Sequence, residues 1–86
     1  HNTLEPAIFK IPVIIGKNFD KFPEVSELIN LKGFISVKNA KSFKSQMNFL
    51  LENNKIRTEM GQINYNYINK NLGATKKVMS YLKQKK

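Results

Sequence analysis

The 86-residue chain has no cysteine, no tryptophan and only one histidine and one arginine. Without cysteine there is no disulfide framework and no thiolate metal site, and a single His cannot complete a zinc site of the usual kind, so neither a metal nor another cofactor is expected. Four glycines and three prolines are too few for a flexible linker or a low-complexity tract. There is no internal repeat. Long apolar runs are missing as well: the longest, IPVII at residues 11–15, falls far short of the roughly 20 residues that span a bilayer, and no basic, apolar leader precedes it. Read alone, the chain is expected to be soluble. Acidic residues are scarce, with six Asp and Glu against fifteen Lys and Arg, for a net charge of +9.

What is present is an ordinary globular composition, 41% hydrophobic and 24% charged. A chain of this size makes at most one small domain, which buries only about 60 to 65% of its unfolded surface. The charge is uneven. Residues 1–40 are close to neutral, whereas nearly all of the excess, nine Lys and Arg57 against Glu52 and Glu59, falls in residues 41–86. Such an excess suits a polyanion, whether nucleic acid, an anionic membrane or a phosphorylated lipid; it equally suits a solvated surface in a Lys- and Asn-rich chain from an AT-rich genome.

The order of elements reads as α/β. Asn2 is placed to cap a short helix with Pro6 near its first turn. Residues 11–15 predict a strand buried on both faces, since they show no polar alternation. Residues 16–22 form a loop, and Pro23 and Glu24 start a helix with Val25, Leu28 and Ile29 on one face. Gly33 is expected to end it in a left-handed conformation. Residues 34–37 predict a second strand, completing one parallel βαβ unit. Three more helices follow. The first is capped by Asn39, carries Phe43, Met47, Leu50 and Leu51, and is broken by Asn53 and Asn54. The second carries Ile56, Met60, Ile63 and Tyr67 and is closed by Gly73 after Asn71. The third begins near Ala74 and carries Val78, Met79 and Leu82. The aromatic and Met stripes are expected in the core; Tyr65 and Tyr67 fall on different faces and make a poor stacking platform. Two parallel strands are few for an open sheet, so residues 1–86 are expected to be the C-terminal part of a larger Rossmann-like domain, short parallel strands with about five helices, truncated on its N-terminal side.

Four motifs carry a resemblance. H-N-x-L-E-P-A at residues 1–7, P-V-I-I-G at 12–16, F-P-E at 22–24 and N-x-G-A-T at 71–75 occur in this order and at about this spacing in bacterial 3-deoxy-D-manno-octulosonic acid (Kdo) transferases. The E-P…P-V-I-x-G pattern is shared by many GT-B glycosyltransferases; H-N-x-L-E-P together with N-x-G-A-T is narrower. The resemblance implies the C-terminal, nucleotide-sugar-binding domain of a GT-B enzyme that moves Kdo from CMP-Kdo to a lipid A precursor during lipopolysaccharide biosynthesis, membrane-associated at the cytoplasmic face of the bacterial inner membrane. Glu5 would accept hydrogen bonds from the ribose hydroxyls, while Asn2, with His1 beside it, would meet the phosphate or sugar. Read without the resemblance, Asn2 only caps a helix and Glu5 only complements its positive end. No catalytic residue is expected within the chain, because the family's general base lies in its other domain, and the fragment alone is expected to be inactive. Lys10, Lys17 and Lys21 depart from the family's commoner Gly, Pro and Asn. The alternative is a small basic nucleic-acid-binding module, but no helix-turn-helix, RNP or zinc-finger signature supports it, so no specific nucleic-acid partner is expected.

Overall fold

The computed structural model describes residues 9–19 and 21–84. Its elements run β1 (Val13–Ile15), α1 (Pro23–Asn30), β2 (Phe34–Ser36), α2 (Ala40–Glu52), α3 (Asn54–Lys70) and α4 (Ala74–Gln84). Four helices thus stand among the described residues; the fifth expected, at Asn2, lies outside them. The strands pair in parallel, with Val13 opposite Phe34, Ile14 opposite Ile35 and Ile15 opposite Ser36. The expected βαβ unit is therefore present, in shorter form. Pro12 has no N–H to give a ladder and Ile11 is 56% exposed, so the first strand begins at residue 13 rather than 11.

Strand alternation splits the apolar residues between two layers. Ile15 and Phe34 are buried in the core with Val25 and Leu28 of α1, Ile68 of α3, and Ala74, Val78 and Tyr81 of α4, and Val13 packs against the same cluster. Ile14 and Ile35 point the other way, toward α2 and the first half of α3. That side is incompletely covered. Phe43 is 46% and Leu51 66% exposed, a correction to the expectation that the α2 stripe is core.

The helix ends follow local chemistry. Asn39 caps α2 as expected, its Oδ1 accepting from Ser42 N at 2.9 Å, while Ser42 Oγ accepts from Asn39 N at 3.2 Å. Asn53 alone separates α2 from α3, and Asn54 is already helical. Two expectations about glycine are overturned. After α1 it is Lys32, with φ 71°, that takes the left-handed conformation, not Gly33. Gly33 is required for a different reason: a Cβ there would lie 1.9 Å from Asn64 Oδ1. Nor does Gly73 close α3. Asn71 does, its N–H and its Nδ2 both donating to Tyr67 O, at 2.9 and 3.1 Å.

The buried face of α3 is also rotated from the expected one. Met60, Gly61, Asn64 and Ile68 are buried, leaving Ile56, Ile63 and Tyr67 on its flank. In α4 the deepest residues are Val78 and Tyr81, with Met79 and Leu82 packing around them.

Candidate functional site

His1, Asn2 and Glu5, the residues expected to hold a nucleotide sugar, lie outside the described residues. What the structure places is their immediate continuation and the other motifs. Phe9 is buried in the core, Lys10 is exposed with its ammonium 5.3 Å from the centre of the Tyr65 ring, and β1 follows. At the carboxyl ends of the strands the chain passes into residues 16–22 after β1 and residues 37–39 after β2, and from these connections α1 and α2 start. In open α/β sheets this is where ligands gather.

The two helix starts differ. At α2 the capping box meets Ser42 N and Asn39 N, and Ser42 Oγ accepts a further bond from Lys38 N at 3.1 Å. At α1 the preceding residue, Phe22, is extended and offers no side-chain cap; Pro23 occupies the first turn, where a missing N–H costs least, and Glu24 sets a carboxylate against the positive helix end.

Phe22–Pro23–Glu24 and the stretch 71–75, some fifty residues apart in sequence, meet in space. Glu24, Glu27, Tyr67, Asn71, Gly73, Ala74 and Lys77 line one cleft of about 400 Å³. Lys21, Phe22, Lys76 and Ser80 join Glu24, Gly73 and Lys77 around a second, of about 500 Å³. Packing explains the small residues of the later motif: Ala74 and Thr75 are 6% and 7% exposed, and Ala74 N donates to Asn71 O at 2.8 Å, turning the chain tightly from α3 into α4. Phe22 packs edge-on to Tyr81 with ring centres 5.2 Å apart.

The polar groups in this region are paired with one another. Glu24 Oε2 lies 3.5 Å from Lys77 Nζ, and its Oε1 is shielded from solvent with no hydrogen-bond partner among the described residues. The Tyr67 hydroxyl donates to Glu27 Oε1. Burial, followed by that bond and the negative charge of Glu27, pushes the Tyr67 phenol well above the usual tyrosine value. A phenol so held keeps its proton and is no general base at neutral pH. Among the described residues no cluster of three or more His, Cys, Asp or Glu could hold a metal ion. The arrangement binds helices together and borders two clefts; it assembles no nucleophile with a base.

The expected separation of Tyr65 and Tyr67 is seen directly, since one meets Lys10 and the other Glu27. Arg57, the one arginine, is committed within the fold: its guanidinium donates to the carbonyls of Leu50 and Leu51 at the end of α2 and to Asn54 Oδ1. Sequence reasoning missed Gly61 and Asn64. The available signal was a polar residue four positions from both Met60 and Ile68, inside an apolar stripe.

Comparison with known proteins gives one informative match. The chain is 34% identical over 85 residues to a 3-deoxy-D-manno-octulosonic acid transferase of Haemophilus influenzae, covering 96% of this chain. It spans about a fifth of that relative's length, 20%. No family model matches the chain, and no solved structure does. The chain thus resembles a Kdo transferase over nearly its whole length, as its motifs indicated.

Proposed function

We propose that this chain is the C-terminal part of the donor-binding domain of a GT-B Kdo transferase, an enzyme that carries Kdo from CMP-Kdo to a lipid A precursor. The observation that carries the reading is the extent of the similarity, 34% over 96% of the chain, with four motifs spread along it. The parallel β1–α1–β2 unit supports it, because it is the kind of unit from which nucleotide-binding sheets are built.

In this reading Glu5 accepts hydrogen bonds from the ribose hydroxyls, and Asn2 and His1 meet the phosphate or sugar. A carboxylate suits that task because charge-assisted hydrogen bonds are roughly twice as strong as neutral ones. The residues of this chain bind and orient the donor; the base that deprotonates the acceptor hydroxyl belongs to the partner domain, so the 86-residue chain alone transfers no sugar. The parent enzyme acts at the cytoplasmic face of the inner membrane, where its acceptor is anchored, and the basic residues 41–86 add attraction to that anionic surface. No helix of the described residues is long and apolar enough to cross a membrane.

The nucleic-acid alternative is not favoured. Its one guanidinium able to read a base edge is engaged by the carbonyls of Leu50 and Leu51.

Calorimetric titration of the transferase that contains this chain with CMP tests the assignment. Glu5→Ala is expected to weaken CMP binding by about tenfold or more, since a hydrogen bond to a charged group contributes roughly 1.5–3 kcal/mol. Unchanged CMP affinity in Glu5→Ala and Asn2→Ala would sink it.

A further inference from the structure

We infer that Asn64 sets the register of the β1–β2 pair, a role that goes beyond the donor-site reading and does not depend on it. The need for such a residue is visible in β1 itself. A strand's register is ordinarily specified by alternation, because a slip of one residue exchanges the side chains of its two faces. Residues 11–15, Ile-Pro-Val-Ile-Ile, show no alternation. If β1 slid by one residue, Ile14 would replace Ile15 in the core, an identical side chain in the same place. Hydrophobic burial therefore resists the slip only weakly.

Asn64 supplies what the pattern lacks. It is fully buried on α3, and its Nδ2 donates to Ile11 O at 2.7 Å, two residues before β1, and to Gly33 O at 2.9 Å, immediately before β2. Both carbonyls must meet one nitrogen. A slip of one residue moves a strand by about 3.3 Å, several times the slack of a hydrogen bond, so one of the two bonds would be lost.

The backbone is brought close at both approaches to the sheet. A Cβ at Gly61 would stand 2.6 Å from Lys10 O and 3.0 Å from Ile11 N, and one at Gly33 would stand 1.9 Å from Asn64 Oδ1. Oδ1 itself has no hydrogen-bond partner among the described residues. A buried acceptor left unpaired lowers stability, so an amide is a poor choice here for stability alone. Fixing register is the best-attested reason for keeping a buried polar group at such a cost. The consequence reaches the carboxyl ends of the strands. There residues 16–22 leave β1 and residues 37–39 leave β2, and a slipped strand would offset one connection from the other by about 3.3 Å.

Asn64→Leu keeps a branched side chain and removes the amide, which separates a register determinant from an ordinary stabilising bond. In the 86-residue chain, backbone nuclear Overhauser contacts distinguish the native pairs, Val13 with Phe34 and Ile14 with Ile35, from pairs displaced by one residue. The wild type is expected to give one set of resonances with native pairs. Asn64→Leu is expected to give more than one set for residues 11–16 and 33–37, with displaced pairs among them. Adding Ile14→Thr restores alternation to β1 and is expected to return a single set with native pairs; where Asn64→Leu alone does not fold, the same addition is expected to recover the fold. A folded Asn64→Leu with one set of resonances and native pairs, however low its urea midpoint, overturns the inference. So does a double variant that stays unfolded or keeps mixed registers.

Discussion

On one side of the β1–β2 sheet, Ile15 and Phe34 close onto α1, α4 and the end of α3, in a core where Val25, Leu28, Ile68 and Val78 have no exposed surface at all. On the other side, Ile14 and Ile35 look out past α2 into two apolar grooves, one of about 340 Å³ bordered by Pro12, Phe43, Met47 and Leu51, the other of about 560 Å³ bordered by Leu31, Ile56 and Ile63. Both sides are built from amphipathic helices. The difference lies in what covers them: three elements seal the first side, whereas α2 packs beside α3, buries only Leu50 and leaves the rest of its stripe half in water. Fold stability therefore comes mainly from one side, since apolar area contributes only in proportion to what is removed from solvent.

The comparison is broken most directly by truncating one phenylalanine on each side. Phe34, 2% exposed, is expected to cost about 3–5 kcal/mol when changed to alanine. For a domain whose whole stability is about 5–15 kcal/mol, that is a large share. Phe43, 46% exposed, is expected to cost about 1 kcal/mol or less. Urea unfolding of the 86-residue chain, followed by far-ultraviolet circular dichroism, reads both. Equal losses would show that α2 is packed as firmly as α1.

A smaller effect sharpens the same contrast. Asn39→Ala removes the cap on α2 and is expected to cost about 1 kcal/mol. Because α2 is on the loosely covered side, the loss is expected to emerge first as faster amide exchange in its opening turn, with little change in the protection of α1 and α4. Uniform acceleration across all helices would mean that the two sides unfold as one unit.

The same asymmetry decides how far the sequence could be read. Periodicity and caps identified α1 to α4 and the role of Asn39, because these depend on neighbours within a few residues, and the strand–helix–strand order alone implied the parallel pairing. Periodicity assigns Phe43, Met47 and Leu51 to one face correctly, but it carries no information about whether anything lies across from that face. Gly33 and Asn64 were illegible for a related reason. Their meaning is a contact spanning 31 residues, and Asn64 also reaches Ile11 across 53. Lys32, not Gly33, takes the left-handed position because the helix ends one residue earlier than expected, with Lys32 N donating to Ile29 O and Gly33 N to Leu28 O, both at 3.0 Å. At the functional level, the motifs at 22–24 and 71–75 stand far apart in the sequence, and only the fold shows that they border the same clefts. His1, Asn2 and Glu5 rest on the resemblance, as they lie outside the described residues.

The smallest expected effect is confined to alkaline pH and concerns the seam where α3 meets α1 on the sealed side. There the Tyr67 hydroxyl donates to Glu27, and its pKa in the folded chain is raised by burial and by that carboxylate. An unfolded tyrosine loses its proton near pH 10. Above that value the unfolded chain releases a proton that folded Tyr67 retains, so the stabilisation from this group is complete below about pH 10 and declines as pH rises further. Tyr81, also raised by burial, acts in the same direction. Tyr67→Phe is expected to change stability little at pH 7, because a partly exposed bond of this type is screened by water, and to flatten the fall in stability between about pH 10 and 11.5. Urea midpoints at several pH values for the wild type and for Tyr67→Phe, with Tyr81→Phe alongside, separate the two phenols from the lysines that titrate in the same range. If Tyr67→Phe left the alkaline decline unchanged, the phenol would be ionising in the folded chain as it does in the unfolded one, and the α1–α3 seam would be open to solvent rather than part of the sealed side.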